Sequence, residues 1–283
     1  MDTIILAGGQ LECAFAPRLG GALLYLRRQG MDFVRPTRQA SLPTQTAGYA
    51  MVPFCNRISG GTIWLDGRSW PVQPNFGEPP MPCHGDGWLS EWIVEQSSDA
   101  QLIMSLSSRW APFSYRATQT ITIRDSMLRI AIRLTNEADH TMPIALGYHP
   151  FFPDAHEAVV TYDAQRFWLE APDKVPTEPI SIPPELDHAA GRPMSPHWRN
   201  NTVDGWDGTV GIAWRDGRHL VMQAEQMEAL HIYRPVHDSF FCLEPQSCVS
   251  GAMGWQDGAR HGVRPVARGE YIEASVTFQP TLC

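Results

Sequence analysis

Residues 117–137 read ATQTITIRDSMLRIAIRLTNE, and the spacing of their apolar side chains decides the class of fold. Ile121 and Ile123 alternate with threonines. Beyond Asp125-Ser126, Leu128, Ile130, Ile132 and Leu134 alternate with Arg129, Ala131, Arg133 and Thr135. A period of two sustained over that length describes an antiparallel hairpin with one face buried and one face wet. Outward from this hairpin, six Asp-Gly pairs punctuate the chain. Two of them, Asp66-Gly67 and Asp216-Gly217, sit between strand-like runs, TIWL-DG-RSWPV and VGIAWR-DG-RHLVMQ. Both read as two-residue hairpin turns whose central residues take positive φ. Helical spacing is absent apart from a short stretch at 183–190, which has a proline start and a glycine just beyond its end. Many short strands with frequent turn signals predict one all-β domain over 1–283, a large antiparallel sandwich.

Composition narrows the possible functions. The 283 residues are 43% hydrophobic and 18% charged, which is ordinary for a globular chain able to bury a sizeable core without disulfides. A formal charge of −8 with no basic run argues against a nucleic-acid partner and suits a neutral or cationic small molecule. No apolar run approaches the roughly 18 residues of a membrane span. The start, MDTIILAGGQ, has no basic n-region or signal-like cleavage site. Six scattered cysteines without a CxxC pair read as free thiols. The expectation is a soluble cytoplasmic protein, monomeric or homodimeric, with no membrane partner.

Four phrases set polar groups among apolar neighbours at strand edges: PFCNRISGG (53–61), MPCHGDGW (81–88), ALGYHPFFP (145–153) and FFCLEPQS (240–247). In the third, strand parity puts Ile144, Leu146 and Tyr148 on one face and Ala145, Gly147 and His149 on the other, with two small residues leaving room beside the histidine. In the fourth, Phe241 and Leu243 face one way, while Phe240, Cys242 and Glu244 face the other, and Pro245 ends the ladder. A carboxylate in apolar company has a raised pKa and suits general-base work. Taken singly, each residue also has a plain structural reading: His149 as a core histidine, Glu244 as a rim carboxylate, Arg57 as half of an ion pair, Asn56 as a turn cap. The shared form of the four phrases favours a common site.

The chain resembles the aldose 1-epimerase (galactose mutarotase) family. The agreement runs from PRLGGALLYLRRQGMDFVRP through PFCNRI, HG, PFSYRATQTITI and GYHPFF to CLEPQS. The pairing of GxHPxF with xLEPxS about ninety residues later is the most specific part of it. The resemblance implies an antiparallel β-supersandwich that interconverts the α and β anomers of a free hexose without a cofactor. It implies Glu244 as general base and His149 as general acid, with His84, Arg57 and Asn56 holding sugar oxygens. Trp88, Phe151 and Phe152 are candidates to pack on the apolar face of a pyranose. Two stretches depart from the family pattern: NFGEPPMPCHG ahead of His84, and WRNNTVDGWDG, where the family has a sugar-binding aspartate. Asn200 or Asn201 falls near that place, and Asp204 and Asp207 are the nearest acids, with Asp204 the substrate-binding candidate. Other readings are a non-catalytic sugar-binding protein, a hexose 6-phosphate epimerase, and a metal site of two histidines and a glutamate. The isolation of His84, His149 and Glu244 in sequence weighs against metal ligation.

Overall fold

The computed structural model describes residues 2–77 and 80–283. The hairpin that decides the fold pairs Phe113–Arg124 with Met127–Asn136, in register from Tyr115 opposite Asn136 to Arg124 opposite Met127. Its turn is Asp125-Ser126, both at positive φ. The inward side chains Ile121, Leu128, Ile130, Ile132 and Leu134 are fully buried, as the alternation requires. The Asp66-Gly67 turn also has both residues at positive φ. At Asp216-Gly217 only Gly217 is left-handed. There the loop takes in Arg215 as well, and the Gly217 amide donates back to the Trp214 carbonyl. This is a three-residue turn ending in a glycine, a second solution to the same hairpin problem.

The strands assemble into two large antiparallel sheets, one of eleven strands and one of nine, with two small two-stranded ribbons. The 113–136 hairpin lies in the nine-stranded sheet beside the C-terminal strand Tyr271–Leu282. The inner faces of the large sheets meet in a shared apolar core; Tyr148 of one packs edge-on against Phe278 of the other. Every helical piece among the described residues is a single 3-10 turn, and the stretch at 183–190 yields only Pro184–Leu186. Its two adjacent prolines and the extended Asp187 that follows leave no room for a full helical turn. Among the described residues, no helix is long and apolar enough to cross a membrane.

Five neighbouring strands at the centre of the larger sheet matter for function: Gly48–Met51, Gly147–Phe152, Phe241–Gln246, Ala229–Arg234 and Arg199–Asp204, in that spatial order. Gly147–Phe152 and Phe241–Gln246 are buried on both faces. One face meets the core between the sheets. The other is roofed by loops and carries the polar groups.

Candidate active site

Strand register alone lines up a row of functional side chains. Tyr49 pairs with His149, and His231 pairs with both Glu244 and Thr202. Between these pairs, Gly147 opposite Gln246 and Phe151 opposite Cys242 set His149 opposite Glu244. Directly opposed residues on one face lie about 5 Å apart, so five strands present Tyr49, His149, Glu244, His231 and Thr202 side by side. The His149 Nε2 to Glu244 Oε1 distance is 3.2 Å. Both side chains are buried, His149 retaining 7% exposure and Glu244 1%, so only their cleft-facing edges reach solvent.

Two loops add the remaining polar groups. Asn56 and His84 both have positive φ, an uncommon backbone state for residues with a side chain. They hold one another there: the Asn56 amide donates to His84 Nδ1 at 3.1 Å, and the His84 amide donates to the Asn56 carbonyl at 3.1 Å. Gly85 must follow His84, because at φ +68 a Cβ would stand 2.1 Å from the Val52 carbonyl oxygen. The loop is anchored behind the histidine. Trp88 Nε1 and the Asn75 amide both donate to the Cys83 and Gly85 carbonyls. Asp86 accepts from Tyr115 of the nine-stranded sheet at 2.6 Å. Strained backbone held this firmly is the usual condition of a working site.

The cleft is lined by Thr44, Tyr49, Asn56, Arg57, Phe76, His84, His149, Phe151, Asn200, His231, Tyr233, Phe240 and Glu244, and encloses about 160 Å³. It therefore unites Glu244, His149, His84, Arg57 and Asn56. Asp204 lies elsewhere. It is on the same strand and face as Asn200, but four residues further on, about 13 Å at strand rise. Its carboxylate is gripped by Arg166 at 2.9 and 2.6 Å. Asn200 is the residue of that strand that reaches the cleft. The aromatic walls also differ from expectation. Phe151 lines the cleft, but Phe152 faces the core against Phe241, and Trp88 lies buried beneath Tyr49. Phe76, Tyr233 and Phe240 supply the other walls. The space beside Gly147 is taken by Met51 and Cys55, whose atoms would stand 2.6 and 2.7 Å from an added Cβ, so that glycine serves packing. Thr44, Phe76, Tyr233 and His231 have no distinguishing signal in sequence, except that His231 becomes visible once the strand pairing is known; Phe240 lies on the Glu244 face, as parity requires.

Burial dominates the electrostatics. It pushes Glu244 up to about 8, partly offset by Arg57 and by an amide hydrogen bond from Gln246. Burial, then the neighbouring His84, His231 and Arg35, pushes His149 well below the usual imidazole value. Desolvation therefore disfavours a His149 imidazolium. A buried pair in contact is best described as sharing one proton, with the first and second protonations belonging to the pair. The Arg57 guanidinium has no hydrogen bond or ion pair among the described residues, which leaves its donors to a ligand.

Ligand atoms of His84, His149 and Glu244 all lie within 4.8 Å of one another, although the three are isolated in sequence. The tautomer of His84 decides against a cation. Its Nδ1 accepts the Asn56 amide hydrogen, so in the neutral ring Nε2 carries the proton and offers a donor, with no lone pair left for a metal. A groove beyond Phe240 carries Arg35, Arg38 and Arg218. Arg218 is neutralised by Asp154 and Asp216, and Arg35 donates to the Thr44 and Thr46 carbonyls while lying over Phe151 and Phe240. Arg35 and Arg218 are thus engaged by the fold itself.

The fold is that of the galactose mutarotase-like sandwiches, and its cleft holds a buried histidine and glutamate in contact. The chain belongs to the aldose 1-epimerase family, whose model matches residues 2–259. It is 30% identical to the uncharacterized Escherichia coli K12 protein YphB over 257 residues, covering 87% of this chain and 88% of that one. The crystal structure of a candidate aldose 1-epimerase from Escherichia coli K12 superposes with a TM-score of 0.94 at 27% identity, covering 100% of this chain and 99% of the other. A galactose mutarotase-like protein from Clostridium acetobutylicum shares the fold, with a TM-score of 0.87 at 17% identity and coverage of 99% and 95%.

Proposed function

We propose that this protein is an aldose 1-epimerase that interconverts the α and β anomers of a free hexose. The observation that carries the reading is the 3.2 Å contact between His149 Nε2 and Glu244 Oε1 on the floor of an open cleft. Anomer exchange moves two protons. One leaves the C1 hydroxyl as the C1–O5 bond breaks, and one arrives at O5. The aldehyde then turns about C1–C2, and ring closure on the other face of C1 reverses both transfers. From the tautomer of the pair in which the shared proton lies on His149, Glu244 takes the first proton and His149 gives the second. The pair therefore performs the exchange without net gain or loss of protons, provided it holds one proton at the start. Burial supports this state, since it disfavours both the doubly protonated cation and the fully deprotonated anion. Arg57 and the His84 Nε2–H are placed to donate to sugar oxygens and to offset charge on the opening ring. No cofactor enters the scheme.

The test is polarimetric relaxation of freshly dissolved α-galactose and α-glucose, with the spontaneous rate subtracted. Wild-type protein should accelerate equilibration, and Glu244→Gln should lower kcat by at least about 10²-fold. A wild type that binds the sugars without accelerating their exchange would instead make this a sugar-binding member of the fold.

A further inference from the structure

Three buried histidines line the cleft, and the chemistry above leaves His231 without a task. Its two nitrogens can be told apart. The Asn200 amide nitrogen donates to Glu170 Oε1 at 2.7 Å and to the Lys174 carbonyl at 3.1 Å. Both protons of that amide are thus committed, and its carbonyl oxygen faces His231 Nε2 at 3.3 Å. An acceptor in that position requires the hydrogen to be on Nε2. The ring is neutral, since burial and Arg57 push it down to about 3. Nδ1 therefore keeps the lone pair, which accepts from the Thr202 hydroxyl at 3.0 Å. Ser250, 3.2 Å from the same nitrogen, donates instead to Gln246 Oε1 at 3.1 Å.

We propose that His231 is a positioning residue that locks Asn200 with its carbonyl oxygen toward the sugar, so that the cleft demands a hydroxyl hydrogen at that point. An asparagine is ordinarily ambivalent, since its amide can turn to offer either oxygen or NH₂. Here Glu170 and His231 pull the two ends in opposite senses, and the amide has one stable orientation. The neutral side chain thereby acts as the acceptor that a carboxylate would supply, without adding a second negative charge beside Glu244. A substrate with hydrogen or fluorine in place of that hydroxyl leaves a buried acceptor unpaired, which a polar site rejects strongly. This inference rests on the cleft being a sugar site. It does not require the anomer exchange itself.

Equilibrium binding tests it, measured by calorimetry with monodeoxy and monofluoro galactoses and glucoses, separately from turnover. For wild type, one ring position should exist where both the deoxy and the fluoro sugar lose at least about tenfold in affinity. His231→Gln places an amide nitrogen where Nε2 was, and should keep this discrimination. With Glu170→Ala removing the carboxylate that also holds the amide, His231→Asn, which reaches only the Nδ1 position, frees Asn200 to turn and the fluoro sugar should regain most of its lost affinity, whereas His231→Gln in the same background should not. Adding Asn200→Asp to that His231→Asn variant supplies an acceptor that cannot flip, and should restore the penalty. The proposal is overturned if wild type tolerates fluorine at every position, if the Gln and Asn variants behave alike in the Glu170→Ala background, or if no hexose binds. Binding with this pattern but without catalysis would uphold His231 and refute only the epimerase reading.

Discussion

The hairpin 113–136 and the strand pair Gly147–Phe152 with Phe241–Gln246 are both antiparallel ladders, yet they treat their two faces differently. The hairpin buries one face and leaves the other partly exposed, so its burial largely follows its sequence, with Gln119 a buried polar exception. The central pair is buried throughout. One of its faces joins the apolar core, and the other holds a histidine and a glutamate that apolar residues would replace at lower energetic cost. The alternation of apolar and polar residues marks where a sheet does nothing but fold. Its loss, combined with ionisable groups, marks where the sheet gives up stability for chemistry.

That contrast predicts opposite responses to mutation. His149→Asn should show the largest effect on activity, lowering kcat by at least about 10²-fold while the protein stays folded, as read by polarimetry and circular dichroism. Ile130→Ala in the hairpin should do the reverse. It empties a fully buried site and should cost about 2–5 kcal/mol in urea unfolding, with kcat of the folded fraction near wild type. If Ile130→Ala instead abolished turnover in folded protein, the two regions would not be separable in this way.

Arg57→Ala should act on binding, raising KM by about tenfold, the size of one charge-assisted hydrogen bond lost. An equal fall in kcat with KM unchanged would move Arg57 from binding to transition-state stabilisation. A further effect concerns stability and pH. Glu244 is raised from an ordinary value of 4.5 to about 8 in the folded protein, so the native state holds this proton more tightly than the unfolded chain. Its contribution to stability is fully present below pH 4.5 and is lost as pH rises through about 8. Glu244→Gln removes that loss. Its melting temperature relative to wild type should therefore climb between pH 5 and pH 8, and a constant difference would mean that Glu244 is not desolvated as described.

How far the molecule was legible in its sequence follows from the same contrast. Ile121 to Leu134 disclosed the hairpin because period two is a local signal. His149 and Glu244 stood out through short phrases and a family resemblance. His231 did not, because ALHIYRP reads as one more core strand; its place beside Glu244 depends on a pairing between strands that no local pattern states. Chemical type favours Asp204 over Asn200. Position along the strand decides otherwise, since the ion pair with Arg166 holds Asp204 away from the cleft. Phe76 forms a wall only because its loop folds over the sheet, which period and parity do not describe.

The central claim is that a buried pair holding one proton carries out the exchange, and the pH dependence of wild-type turnover tests it most directly. The pair should fail when it gains a second proton and when it loses its only one. Because His149 is pushed below 6.5, the acid limb should lie below that value; because Glu244 is raised to about 8, the alkaline limb should fall near there. Polarimetry of α-galactose from pH 4 to pH 10, corrected for the spontaneous rate, should thus trace a bell with a plateau across neutrality. A rate over background that stays flat through pH 8, or that falls already as pH drops through 7, would contradict a shared proton between Glu244 and His149.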